Sequence, residues 1–149
     1  MAAGYGIVTI GGHDYIEKFF QYTSTVTITP NGFLQPRVVM DGDGAFLLKE
    51  TMVVYSQTGG VNNYFRARLG NSDGSQWYSS AGIVSGGAAN DRVHSLLAFG
   101  NGQFPFPIIP YILFTPQGAI NLDLQDISGN TNVIEFAFTG SKLYDYAGS

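Results

Sequence analysis

Two closely spaced aspartates are the first residues in this sequence whose types and spacing could do chemistry. Asp41-Gly-Asp43-Gly44 matches the opening of a calcium loop, in which carboxylates at alternate positions supply oxygen ligands. An EF-hand is excluded, because Phe46 stands at the sixth position, which needs glycine, and Met52 at the twelfth, which needs a bidentate carboxylate. The motif predicts a solvated turn, with a cation held by Asp41 and Asp43 as the alternative.

Groups for catalysis are sparse. The chain has no cysteine and only two histidines, His13 and His94, so it offers neither a thiol nucleophile nor a three-histidine zinc site. It has no Gly-x-Ser-x-Gly elbow and no phosphate-binding loop with its lysine. Glycoside hydrolysis would need two of the three glutamates, at positions 17, 50 and 135, to face one cleft. We expect no enzyme activity, no catalytic residue, no cofactor and no metal.

Aromatic and basic side chains offer binding sites instead. Trp77 and Tyr78, with Asp73, could form the stacking platform of a sugar-binding module, although a lone Trp in a β-sandwich is more often core or interface. Arg66 and Arg68 alternate along one strand, where they could pair with Glu50 or with aspartates across a hairpin, anchor a partner, or simply face solvent.

Composition narrows the class of partner. The 149-residue chain has a net charge of −4, and 12% of its residues are charged, whereas about 25% is typical of soluble domains. Seven Lys and Arg against 11 Asp and Glu leave no basic footprint for nucleic acid or for an anionic membrane. Hydrophobic residues make up 44% of the chain and are sufficient for folding. We expect a single domain over residues 1–149 that presents an extensive surface to protein partners.

No segment is expected to enter a membrane or to direct secretion. No apolar run reaches the roughly 18 residues that span a bilayer. The first 12 residues lack the basic region of a signal peptide. The sequence therefore predicts a soluble protein made in the cytoplasm, where it stays unless it is assembled into a particle.

The elements that must position these side chains are predicted to be short β-strands. Twenty glycines and six prolines are scattered through the chain, and the segments between them alternate in polarity. Residues 20–29 are predicted to place Tyr22, Ser24, Val26 and Ile28 on one face and four threonines on the other. No apolar stripe of helical period extends over three turns, and residues 11–20 are the one place where a helical turn is tolerated.

Further strands are predicted over residues 36–40, 45–56, 63–69 and 93–99. In the second of these, Phe46, Leu48, Glu50 and Met52 are assigned to one face. Thr58-Gly59-Gly60 predicts a hairpin between residues 45–56 and 63–69. Residues 82–89 are a loop candidate, since they are rich in glycine. Residues 104–110 carry three prolines and therefore read as an extended edge or crossover.

The C-terminal third has the most regular alternation. Residues 120–125 and 134–139 flank a turn at Ser128-Gly-Asn130, which predicts a two-strand antiparallel ribbon. Its buried face should hold Leu122, Leu124, Phe136 and Phe138. The whole pattern predicts an all-β fold, a two-sheet antiparallel sandwich of jelly-roll or Greek-key type with about eight strands.

Five features follow one another from about Phe46 onward: Thr58-Gly59-Gly60, Gln76-Trp77-Tyr78-Ser79, residues 104–110, Pro116-Gln-Gly118 and the closing pattern Gly140-Ser-Lys142-Leu143-Tyr144. In their order they resemble the small β-sandwich virion structural proteins of tailed bacteriophages, of the capsid decoration or cement type. The closing pattern carries most of the resemblance. The resemblance covers about two-thirds of the chain, and the first 40 residues lie outside it.

The resemblance implies a non-enzymatic, multi-copy protein of the virion, assembled in the host cytoplasm, that bridges subunits of the major capsid or another virion protein. It also implies a homo-oligomer, a dimer or trimer. A neck, tail or fibre-base component and a carbohydrate-binding jelly roll are the alternatives. We assign contact roles to Phe104, Phe106, Ile108 and Ile109, which could instead fill the end of the sandwich. Residues 1–15 are expected to be an N-terminal arm, and residues 143–149 a C-terminal tail.

Overall fold

Two antiparallel β-sheets face each other across an apolar core in the computed structural model, which describes residues 5–58, 64–71, 76–78 and 92–146. The first sheet has the order β1-β2-β10-β5-β8, with β1 at Tyr5–Ile10, β2 at His13–Ile28, β10 at Asn132–Asp145, β5 at Ala45–Thr58 and β8 at Phe106–Phe114. The second has the order β3-β9-β6-β7, with β3 at Phe33–Leu34, β9 at Ala119–Asp126, β6 at Phe65–Gly70 and β7 at Val93–His94; β4, Arg37–Val39, also pairs with β9. The predicted all-β antiparallel sandwich is confirmed, with ten strands in the described residues where about eight were expected.

Alternation of residue types explains which side of each strand is buried. On β2, Tyr22 and Ile28 are buried and Val26 packs against the core, whereas Thr23, Thr25 and Thr27 on the other face are exposed, as predicted. The four predicted core residues, Leu122, Leu124, Phe136 and Phe138, are each at most 1% exposed. Inward-facing apolar side chains from both sheets therefore form one core.

Two predicted strand pairings are wrong, because the chain repeatedly crosses between the sheets. β5 and β6 do not form a hairpin: β5 pairs with β10 and β8, whereas β6 pairs with β9 and β7. β9 and β10 do not form a ribbon, since they lie in different sheets. Alternation of residue types shows which face of a strand is buried, but it does not show which strand lies beside it. Two consecutive strands that lie in opposite sheets can each bury an apolar face in the same core.

A β-bulge in β5 overturns the predicted face of its second half. The register to both neighbours shifts between Leu48 and Glu50, leaving Lys49 as the extra residue. Phe46 and Leu48 share a face, as predicted, and that face is buried, but beyond the bulge Thr51 and Val53 are the buried residues. One inserted residue exchanges the two faces of a strand, so Glu50 and Met52 do not continue the buried row.

The tolerated helical turn at residues 11–20 is also wrong. Gly11 and Gly12, with φ of 59° and 81°, form the two-residue turn of a β1–β2 hairpin. Positive φ at both positions gives the turn that suits the strand twist, and glycine adopts it without steric cost. Residues 13–20 are thus the first half of β2, the 16-residue strand.

Two further segments differ in extent from the expectation. Only Val93–His94 of the strand predicted over 93–99 is extended, and a 3₁₀ helix follows at Ser95–Leu97. The expected C-terminal tail begins inside β10, where Leu143 is 3% exposed and buried in the sandwich. The predicted loop over residues 82–89 and the glycines of the Thr58-Gly59-Gly60 turn lie outside the described residues.

Candidate functional site

Six of the exposed large apolar side chains belong to β8, at one edge of the first sheet, or to the segment that precedes it. We call this area the β8 surface; its members are Leu96, Leu97, Phe104, Ile109, Tyr111 and Leu113. Ile109 is 84% exposed and Phe104 75% exposed. From Val93 to Leu122 the chain carries no Asp, Glu, Lys or Arg. Clustered apolar side chains of this kind mark interaction sites on folded proteins, whereas isolated ones need no explanation.

Prolines keep β8 at the sheet edge. Pro107 and Pro110 lie within the strand and cannot donate to a neighbouring backbone. The pairing with β5 moves from Leu48 opposite Ile112 to Glu50 opposite Pro107, so residues 108–111 bulge out of the ladder. This confirms the predicted extended edge, and it directs Ile109, Tyr111 and Leu113 outward.

Apolar hollows adjoin the β8 surface. A groove of about 750 Å³ runs along the strand, and its lining includes Gln76 and Tyr78. A smaller cavity of about 270 Å³ opens between the two sheets, lined by Leu97, Phe106 and Ile108 among others. The surface therefore has hollows that the side chains of a partner could fill.

The four residues assigned to contact divide into two pairs. Phe104 and Ile109 lie exposed on the β8 surface. Phe106 and Ile108 are half-buried and line the inter-sheet cavity, and Ile108 also packs against the core. The inward pair closes the end of the sandwich, whereas the outward pair is exposed, and its contact role stays a prediction.

Arg66 and Arg68 lie on β6 of the second sheet, and Arg68 lines the inter-sheet cavity that Phe106 and Ile108 also line. Asp123 accepts two 2.9 Å hydrogen bonds, from Arg68 Nε at Oδ2 and from Arg92 Nη2 at Oδ1, and its side chain is 1% exposed. Arg66 Nη1 donates to the carbonyl oxygen of Arg92 at 3.4 Å. The expected pairing with Glu50 is wrong, because Glu50 belongs to the other sheet. The sequence analysis missed Asp123, although alternation along β9 places it outside the apolar row.

The two described residues of the candidate sugar platform, Trp77 and Tyr78, both have contacts within the chain. The guanidinium of Arg68 lies 4.0 Å from the ring centre of Trp77, so one face of the indole is covered. Tyr78 packs against the core and contacts Phe114 edge to face. The third candidate, Asp73, lies outside the described residues.

Asp41 and Asp43 hold a cation that belongs to the chain itself. The Lys142 ammonium donates to Asp41 Oδ2 at 2.7 Å and to Asp43 Oδ1 at 2.9 Å, and it lies 4.1 Å from the ring centre of Phe20. Burial opposes the charged form, but the two carboxylates outweigh it and raise the pKa of Lys142. The hydrogen bond from Lys142, aided by one from Tyr144, lowers the pKa of Asp43 against a smaller effect of desolvation.

Other titratable groups of the first sheet form separate pairs. Glu17 accepts hydrogen bonds from Lys49 and from Ser141. The hydrogen bond from Lys49 is the main cause of the lowered pKa of Glu17. His13 Nε2 lies 3.1 Å from Asp145 Oδ1 at an exposed position. No group of three or more His, Asp or Glu side chains within the described ranges is placed to bind a metal. The same residues include no helix long and apolar enough to cross a bilayer.

No protein-family model matches the chain, and no curated protein or solved structure matches it either. The surface itself therefore carries the functional argument. The charge-free run over residues 93–122 was visible in the sequence and coincides with the β8 surface. Leu96, Leu97, Tyr111 and Leu113 were not predicted, because they lie outside the proline-rich centre of this run.

Proposed function

We propose that this chain is a non-enzymatic structural protein of a bacteriophage virion, a decoration or cement protein that stabilises the head by bridging capsid subunits. The observation that carries the proposal is the β8 surface, whose exposed side chains are apolar and whose segment of chain has no charge. The resemblance of the C-terminal two-thirds to such virion proteins supplies the identity of the partner.

The chemistry of the β8 surface suits a lasting contact between proteins. The centres of stable interfaces are apolar and poor in charge, and aromatic residues are enriched there. Removing Phe104 and Ile109 from water would contribute about 1.5–3 kcal/mol each, before the cost of association. A particle presents the same partner site many times, so modest contacts that are shared between neighbouring copies add up by avidity.

Copy number in purified virions tests the proposal first. Quantitative mass spectrometry of particles from the source of the gene should find the protein in a fixed, high ratio to the major capsid protein. A few copies per particle would instead assign it to the neck, tail or fibre base. Its absence from particles would refute the virion role.

A pair of variants tests the surface. Ile109→Ser should reduce binding to empty heads at least about tenfold, because it removes a large apolar contact. The matched control is Val39→Ser, since Val39 is 60% exposed on the second sheet, away from β8. Equal binding by both variants would refute the β8 surface as the contact. If Trp77→Ala abolished binding on a glycan array, the carbohydrate-binding alternative would be favoured instead.

A further inference from the structure

The first sheet has a second edge, β1, which unlike β8 contains no proline. Like β8, β1 carries no charged residue, and the first charged residue of the chain is Asp14 on the next strand. Within the described residues, only β2 pairs with β1, so the other side of the strand has no backbone partner there. An edge of this kind is a template for another strand.

The register of the hairpin fixes which backbone groups face that open side. Asp14 accepts a 3.3 Å hydrogen bond from the Tyr146 N–H at its carbonyl oxygen, so the backbone of Asp14 faces β10 and not β1. Thr9 lies opposite Asp14 and Ile7 opposite Ile16, two residues further along. Because antiparallel pairs alternate between bonded and non-bonded, the N–H and C=O groups of Thr9, Ile7 and Tyr5 point away from β2.

The two edges of the sheet cannot pair with each other in a repeating arrangement. Pro107 and Pro110 remove donors from β8, and its bulge interrupts a straight ladder. A head-to-tail stack of β1 on β8 of the next molecule is therefore disfavoured. β1 is compatible with itself, since a two-fold axis at Ile7 would bring no like charges together.

We propose that β1 pairs antiparallel with β1 of a second copy of this chain, joining two first sheets into one continuous ten-stranded sheet. Ile7 then lies opposite Ile7 of the second copy, and Thr9 opposite its Tyr5. Three bonded pairs of this kind exchange about six backbone hydrogen bonds. Ile7, which is 57% exposed in the single chain, becomes covered. The proposal is independent of a virion role, because it uses neither the β8 surface nor any capsid partner.

Sedimentation velocity over a range of concentrations tests the pairing. The wild-type protein should show a monomer–dimer equilibrium, and Ile7→Pro should weaken it at least about tenfold, since it removes an outward N–H that β2 does not use. The matched control, Ile7→Val, keeps the N–H and should dimerise like the wild type. A wild-type protein that remains monomeric up to about 1 mM would overturn the proposal, as would an unchanged dimer in Ile7→Pro.

Cross-linking provides a second measurement that does not depend on how well the proline variant folds. The chain has no cysteine, so Ile7→Cys introduces a single thiol. Bonded antiparallel pairs have Cα atoms about 5.5 Å apart, within the range of a disulfide. Oxidation should convert Ile7→Cys to a covalent dimer and leave Ile109→Cys on β8 largely monomeric. The reverse result would place self-association at β8 and refute pairing through β1.

Discussion

Replacing Lys142 by methionine tests whether its buried ammonium holds the end of the sandwich together. The Lys142 side chain is 4% exposed, and its ammonium joins β10 to the turn between β4 and β5 through Asp41 and Asp43. Methionine keeps most of the apolar stem beside Phe20 and removes the charge. The variant therefore separates the interactions of the ammonium, which are two charge-assisted hydrogen bonds and a contact with the Phe20 ring, from the packing of the side chain.

The expected loss of unfolding free energy depends on how exposed the two aspartates are. Hydrogen bonds to charged groups contribute about 1.5–3 kcal/mol each when buried. The Asp41 and Asp43 side chains are 58% and 55% exposed, so water can hydrate both carboxylates once the ammonium is gone. We therefore expect Lys142→Met to lower the free energy of unfolding by about 2 kcal/mol in total, below the sum of two buried bonds.

Urea unfolding at pH 7 measures this loss, and Lys49→Met is the control. Lys49 pairs with Glu17 on the outer face of the first sheet, and its side chain is 29% exposed. A partly exposed pair contributes about 0–1 kcal/mol, so the control should lose clearly less. Equal losses in both variants, or a loss below about 0.5 kcal/mol for Lys142→Met, would refute the reasoning.

The pH dependence of the Lys142 contribution has a defined sign. The folded pKa of Lys142 is raised, so its stabilisation is complete below the unfolded value of about 10.4 and is lost as the pH rises through the folded value. The folded pKa of Asp43 is lowered, so its contribution is complete above about 3.9 and is lost as the pH falls through the folded value. The difference between wild type and Lys142→Met should be constant from about pH 5 to 9 and shrink towards pH 2.

Three other substitutions, one of them with a matched control, probe the fold. Phe136→Ala should lower the free energy of unfolding by about 3–5 kcal/mol in urea, since the ring is fully buried, and a loss below about 1 kcal/mol would contradict its central position. Gly140→Ala should cost about 3 kcal/mol or more by the same assay, because the new methyl group would overlap the carbonyl oxygen of Leu47, whereas Gly102→Ala, which has open space, should be nearly neutral. Desolvation raises the pKa of Asp126, but hydrogen bonds from a serine and from backbone N–H groups outweigh it and lower the pKa. The stability contributed by this carboxylate is therefore lost as the pH falls below about 4, and Asp126→Asn should show a flatter acid unfolding profile; equal acid profiles would contradict this role.

Alternation in the sequence was sufficient to predict the fold class and much of the core. It identified the buried faces of β2 and β9 because no insertion interrupts their period. It failed in β5, where the extra residue, Lys49, is not distinguished by type from a normal solvent-facing lysine. The close approach of the Leu47 carbonyl to Gly140 makes the bulge possible, and that contact joins residues distant in sequence.

The candidate site was predicted in part for a similar reason. The prolines of residues 104–110 indicated an edge, because proline cannot take part in a central ladder. Leu96 and Leu97 belong to the β8 surface because they lie in the 3₁₀ helix that follows the short β7 strand. Two consecutive leucines in a sequence are equally typical of a buried core. Lys142 was noticed only within the closing pattern, since its partners Asp41 and Asp43 lie about a hundred residues earlier.

The position of β10 in the first sheet has a consequence for the timing of folding. β10 pairs with β2 on one side and β5 on the other, yet it is synthesised after the nine other strands that the structure describes. Neither neighbour can complete its ladder while the ribosome still holds residues 132–145. We therefore expect the nascent chain to expose its apolar strands until translation has passed β10, and folding to be slow for a chain of this length, because its pairings close long loops.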